Sequence, residues 1–386
     1  MKILAADIGT GTQDILLLDT RLDIENGFKL ILPSPTMILR RRIMEASRQR
    51  KTILLQGVTM GGGPCSWAIE DHLKYGLKVF ATAAAAQTLN DDLDAVSDLG
   101  VIIVDPEEAD RLDETVEKLT LGDVDVKSIK RAFNEFGVSL DDLDLLAVAV
   151  FDHGNAPRGY SDRKFRFEYL DQQVKSSNRL SSFAFPVDRI PLSMTRMQAV
   201  RESLRDVPTP LMVMDSAPAA VLGASFDPVA KQMNSKLIVN IGNFHTLAFR
   251  LGSSGIEGVF EHHTGLLSTP SLEDIIRKFA TGTLSNEEIF NGQGHGALVY
   301  SREPYNLNST DNRPIITGPR RSILKDSNLD PYFAVPFGDM MIAGCFGLVA
   351  AAADHFPEFS EELNSALGGN GSSTTPWDIS GEIPDK

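Results

Sequence analysis

The chain has 386 residues, with 52 Asp and Glu against 37 Lys and Arg, a formal charge of −15. That length implies two to three domains with a core that needs no disulfide or structural metal, and the acidic balance argues against a broad nucleic-acid surface. Hydrophobic residues at 42% exclude wholesale disorder, and two cysteines, Cys65 and Cys345, supply neither a disulfide framework nor an iron–sulfur ligand set.

Asp7 interrupts the first apolar run, so the N-terminus does not read as a signal peptide. The longest uncharged apolar stretch, Met340 to Ala353, is too short to cross a bilayer and reads as a buried helix. A cytoplasmic protein is expected.

In chain order, Ile3 to Ala6 and Ile15 to Leu18 read as a hairpin joined by Gly9-Thr10-Gly11-Thr12. Arg40 to Lys51 reads as a solvated helix face. Short buried strands at Thr52 to Val58, Leu77 to Ala81 and Val101 to Val104, with helices between, suggest parallel βαβ units. A helix over Val126 to Phe136 precedes a buried strand, Leu145 to Phe151. The second half opens with a strand at Leu211 to Met214 and a small-residue helix, Ala217 to Ala224. Runs at Leu237 to Ile241, Thr246 to Leu251 and Ile256 to Phe260 form a meander. Helices at 272–279 and 286–290, a strand at 314–316 and the long apolar helix follow, and the Gly- and Ser-rich end reads as a flexible tail.

Several segments carry candidate chemistry. In AADIGTGTQD, glycines let backbone N–H groups approach a phosphate, Thr10 and Thr12 can donate to it, and Asp7 could hold hydrated Mg²⁺. A purely structural hairpin turn is the competing reading. VNIGNFHT repeats the pattern with Asn240, Gly242, Asn243 and Thr246. PIITGPRR places Thr317 and Gly318 in a turn suited to a nucleoside. Asp215 opens the small-residue helix, either as an N-cap or as a base for a substrate hydroxyl. FDHGNAPRGYSDRKFRF sets Asp152 and His153 at a strand's C-terminal edge, with Arg158, Arg163 and Lys164 as cations for an anionic substrate or as ordinary loop charges. Gly61, Gly62 and Gly63 could expose N–H donors to a second anion or form a plain turn, and Cys65 beside them could be a reactive thiol. His262, His263 and His295, with His153, are candidate metal ligands, although neighbours on a strand point to opposite faces.

Five of these segments, Asp7 to Asp14, Asp215 to Gly223, Val239 to Thr246, Ile315 to Arg320 and Gly338 to Ala351, resemble in order the signature motifs of the actin-like ATPase superfamily. The resemblance implies an α/β fold of two ribonuclease-H-like lobes around a cleft holding ATP and Mg²⁺. Asn240 departs from the Asp usual there. More narrowly, TMGGGPCSWAIEDHL, the FDHGN segment, EHHTG and GQGHG are similar to a prokaryotic family labelled pyruvate formate-lyase activating enzyme. A radical activating enzyme, however, needs a C-x-x-x-C-x-x-C cluster site, and two distant cysteines do not supply it.

The expectation is thus an ATP-dependent phosphotransferase or ATPase acting on a small molecule, with an anion as one option. The alternatives are a nucleotide-regulated switch or assembly protein and a metal-dependent hydrolase. The expected division is an N-terminal lobe at 1–210 with an insertion and a returning helix at 340–356, a C-terminal lobe at 211–339 and a tail at 366–386. Expected partners are a small-molecule substrate, with no nucleic acid and no membrane, and a homodimer is left open.

Overall fold

The structure, a computed structural model, describes residues 1–307, 312–369, 374–377 and 379. The strands, in chain order, are β1 (Lys2–Ile8), β2 (Thr12–Asp19), β3 (Phe28–Pro33), β4 (Ile53–Gly57), β5 (Val79–Thr82), β6 (Ile102–Val104), β7 (Glu117–Leu121) and β8 (Leu145–Val150). Then come β9 (Ala184–Pro186), β10 (Leu211–Asp215), β11 (Lys236–Ile241), β12 (His245–Gly252), β13 (Gly255–His263), β14 (Gly296–Val299), β15 (Ile315–Thr317) and β16 (Tyr332–Phe333).

Two sheets repeat one topology. The first runs β3-β2-β1-β8-β10-β9 and the second β14-β13-β12-β11-β15-β16. In each, an antiparallel meander (β1–β2–β3 and β11–β12–β13) is followed by strands that join its first strand in parallel, β8 beside β1 and β15 beside β11. These are two ribonuclease-H-like lobes, as the motifs implied.

Strands β1 and β8 are apolar on both faces because both faces are covered. Leu4, Ala6, Ile8, Leu146, Val148 and Val150 point into a large core. Ala5, Ala147 and Ala149 point the other way, toward the helix Ala343–His355. Small residues on that face let the helix lie close. The same helix crosses Ser216–Ala224, which follows β10, and the crossing is set by glycine: a Cβ on Gly223 would run into the Ala343 carbonyl, and one on Gly347 into the Ala219 carbonyl.

Between β3 and β8 lies a third, parallel sheet, β6-β5-β4-β7, with its own core of Leu39, Ile43, Leu55, Ile69, Val79, Val96 and Leu119. The βαβ reading of this stretch is correct. The basic stretch lies on the helix Pro35–Arg48, where Ile43 and Ala46 are buried and Arg41, Arg42 and Arg48 are exposed.

Two sequence expectations change. Strand β10 was placed at the start of the second half, but it pairs in parallel with β8, Leu211 opposite Leu146, so the second sheet begins at β11. The expected tail begins inside the helix Ser360–Gly368, and most of it beyond residue 369 lies outside the described residues. Strands β3, β7, β9, β14 and β16 carried no expectation; all five are sheet edges, and β3 is partly exposed along its length.

Alanine is the better helix former by about 1 kcal/mol, yet Gly347→Ala is expected to destabilise the fold by about 1–3 kcal/mol because its methyl meets a backbone carbonyl. Urea unfolding measures the sign, and a stabilised variant would show that the helices do not cross this closely.

Candidate functional site

The two meanders bring equivalent turns face to face. Gly9 N–H donates to the Thr12 carbonyl and Gly242 N–H to the His245 carbonyl, both at 2.9 Å. Asp7 and Asn240 hold matching places before these turns; Asp7 pairs across the hairpin with Asp14, Asn240 with Leu247. The turns nearly touch, since a Cβ on Gly11 would lie 2.5 Å from the Asn243 amide nitrogen. Between them is a cavity of ≈ 120 Å³ lined by Asp7, Gly9, Thr10, Thr12, Asp14, Asn240, Gly242, Asn243, Thr317 and Gly318, with Met340 and Met341 on one wall. Gly318 adopts a φ of +97° that brings its backbone against the Asn240 side chain.

Asp7 and Asp14 set the charge of this cleft. Burial, with Asp215 adding to it, pushes the Asp7 carboxyl up to about 6, although Ser216 Oγ donates to it at 2.6 Å and Arg196 opposes the rise. Burial and then the Asp7 charge push Asp14 up to about 8. Asp14 Oδ1 and Thr317 Oγ1 are buried without a hydrogen-bond partner among the described residues. Two carboxyls facing each other with an orphan oxygen fit a hydrated divalent cation, which would supply the missing positive charge.

A larger cavity of ≈ 850 Å³ lies between the inserted domain and the β8–helix connection. Gly61, Gly62, Gly63, Asp91, His153, Arg158, Asp162 and Arg196 are among its lining residues. A bridging cavity of ≈ 90 Å³ is walled by Thr10 and His245 on one side and Gly61–Gly63 and His153 on the other. Arg196 lines all three cavities. Its guanidinium is fixed by Asp123 at 2.7 and 2.8 Å and by the Phe151 carbonyl at 2.7 Å.

Several expected site residues are otherwise engaged, Asp152 and Arg158 while lining the larger cavity. Asp215 is fully buried, caps its helix through Ala217 N–H and binds Arg166, outside the lining of every cavity described above. It is the N-cap, and a base role is closed to it. Asp152 accepts Gly154 N–H at 2.8 Å and Met197 N–H at 2.9 Å, so both its oxygens are used to shape the loop. Thr246 is buried against Thr264 at 3.0 Å. Arg163 donates to the carbonyls of Phe290 and Gly294 and stacks on the Phe290 ring, so it fastens the lobes, while Lys164 is exposed 5.4 Å from the same ring. Arg158 pairs with Asp92 and Asp94. Burial pushes the Cys65 thiol up, and it donates to the carbonyls of Gly61 and Gly62, which makes it a packing group.

The sequence reading missed Asp14, Arg196 and His245. Asp14 was legible from hairpin register, since a four-residue turn places it opposite Asp7. Arg196 had no signal that sets it apart from Arg201 on the same helix, Thr195–Ser203. His245, His263 and His295 come together at one end of the second sheet, while His262 turns away toward the His263 carbonyl. Burial, first among several causes, holds His245 well below the usual imidazole range and takes His295 down to about 2.

Arg166 is buried, with Asp215 and Glu261 holding it charged. Arg166→Met is expected to cost about 3–5 kcal/mol in urea unfolding, because it strands two buried carboxylates; an unchanged midpoint would contradict this network. A carboxyl whose folded pKa lies above its unfolded value loses its stabilising contribution as pH rises through that interval. In EDTA, therefore, Asp14→Asn should gain stability relative to the parent chain between about pH 5 and about pH 8. Melting curves of both proteins across that range test the sign.

Among solved structures the chain resembles, at 9% identity and a TM-score of 0.34 over 94% of this chain and 98% of the other, the activator of the 2-hydroxyisocaproyl-CoA dehydratase from Clostridium difficile with bound ADPNP. It also resembles the ethanolamine utilization protein EutJ from Carboxydothermus hydrogenoformans, at 10% identity and 0.32 over 90% and 89%. A third is apo pSK41 ParM, at 13% identity and 0.31 over 93% and 99%. No curated protein matches the chain. Among the described residues, no helix is long and apolar enough to cross a membrane. A sequence family matches residues 60–323, more than half of the chain. The chain belongs to that family, described as "Putative pyruvate format-lyase activating enzyme (DUF1786)", and is built on the two-lobed actin-like ATPase fold.

Proposed function

We propose that the cleft binds Mg²⁺ and ATP, and that the chain is an ATP-dependent phosphotransferase or ATPase whose small polar substrate occupies the ≈ 850 Å³ cavity. The observation that carries this reading is the pair of equivalently closed glycine turns meeting over Asp7 and Asp14. Small residues there let backbone approach phosphate oxygens, and the Thr10 and Thr12 hydroxyls add donors. Asp7 and Asp14 would hold Mg²⁺, which when bound neutralises phosphate charge. Thr317, Gly318, Met340 and Met341 form the wall suited to a nucleoside.

Arg196, already oriented by Asp123, is a preorganised donor where cleft and cavity meet. With Asp215 unavailable, Asp91 is the carboxyl best placed to accept a substrate proton. It lines the larger cavity, and burial, with Asp162 and Asp152 adding to it, pushes it up to about 6. Of the cations expected to meet an anionic substrate, Arg158 lines the cavity with Arg196, beside Asp91 and Asp162, which suits a small polar substrate of either charge. Arg163 is bonded to the second lobe, and Arg158 is paired with aspartates.

Calorimetry with Mg–ATP is expected to show one site per chain, weakened about 10-fold or more in Asp14→Asn. Asp91→Asn should keep that affinity and lose about 10²–10⁴-fold in turnover. A folded chain that takes up no nucleotide would refute the reading.

A further inference from the structure

Three adjacent strands of the second sheet end in histidine. His245 opens β12 and pairs directly with His263, the last residue of β13. His295 immediately precedes β14, and its N–H donates to the Glu261 carbonyl at 2.9 Å. The three ring centroids are 4.7, 4.9 and 5.0 Å apart, and one nitrogen from each ring lies within 4.8 Å of the other two. His245 Nε2 and His295 Nδ1 are buried without a hydrogen-bond partner among the described residues. An unpaired buried polar atom costs about 1–3 kcal/mol; His295 Nδ1 faces Glu261, so His295 would ligate through Nε2, and His245 Nε2 is the orphan that a bound ion would satisfy.

We propose that His245, His263 and His295 form a binding site for a transition-metal ion such as Zn²⁺, with a coordination position open toward the cleft. A tetrahedral zinc with Zn–N of about 2.0–2.1 Å wants its nitrogens about 3.4 Å apart, so small ring rotations complete the site. Three imidazoles without a thiolate suit zinc, cobalt or iron and not magnesium or calcium. The surroundings match. Glu261 Oε1 stands 3.5 Å from His295 Nδ1, the carboxylate–imidazole relation that orients a ligating histidine, while its other oxygen is held by Arg166. His245 also lines the cleft and the bridging cavity, and His153 stacks on His295 at 6.3 Å, so the ion borders the route from cleft to cavity. Three protein nitrogens and an open position are the donor set of a site that polarises a substrate or water oxygen.

The test uses the full chain, stripped with EDTA, dialysed and kept free of nucleotide, so its outcome is separate from that of the ATP reading. Calorimetry with Zn²⁺ is expected to show one equivalent bound per chain. Co²⁺ should give the visible spectrum of a tetrahedral nitrogen site. His263→Asn and His245→Asn should each weaken Zn²⁺ roughly 100-fold or more, and Glu261→Gln about 10–100-fold. His262→Asn should bind as the parent does. Circular dichroism selects the folded variants, and where none folds the Co²⁺ spectrum of the parent decides. Failure of the folded parent to take up Zn²⁺, or parent-like affinity in His263→Asn, overturns the site.

Discussion

A single buried guanidinium ties the two lobes together. Arg166, on the helix Asp162–Ser176, reaches Asp215 at the end of β10 in the first lobe and Glu261 on β13 in the second, with its plane over the Phe151 ring at 4.6 Å. Three charges out of water are tolerable only because each is another's partner. The pairing fixes the start of the small-residue helix and holds Glu261 beside His295. The start of that helix and the carboxylate beside the histidine cluster rest on that one side chain being present and charged.

Glycine sets the second constraint. Where helices 216–224 and 343–355 cross, backbone meets backbone at Gly223 and Gly347, and Gly344 leaves room for the Asp7 carboxylate. A crossing this tight is stiff in translation, so movement of one lobe against the other would be rotation about that contact.

Most of the fold was legible because the strands that build it are apolar on both faces and the turns are glycine and threonine. The register Asp7–Asp14 and the meander of β11 to β13 follow from such patterns. The site was legible only in its backbone. Asp215 looked like a base because a carboxylate opening a helix beside a strand end is chemically plausible; only the position of Arg166, 49 residues earlier, shows that it is spent. Arg163 looked like a substrate cation because a sequence does not show which face of a helix meets the other lobe. His245 hid in a turn already read as phosphate-binding, and its partner His263 becomes adjacent only through strand pairing.

The duplication has a consequence in coordination chemistry. At matching places around the two turns, the first lobe presents the oxygens of Asp7, Thr12 and Asp14, whereas the second presents Asn240, His245 and Leu247. One hairpin geometry thus carries oxygen donors in the first lobe and the imidazole of His245 in the second. Ions of the magnesium kind are drawn to the oxygen side and those of the zinc kind to the nitrogen side. If both proposed sites fill, two metals would be sorted a short distance apart by donor type alone.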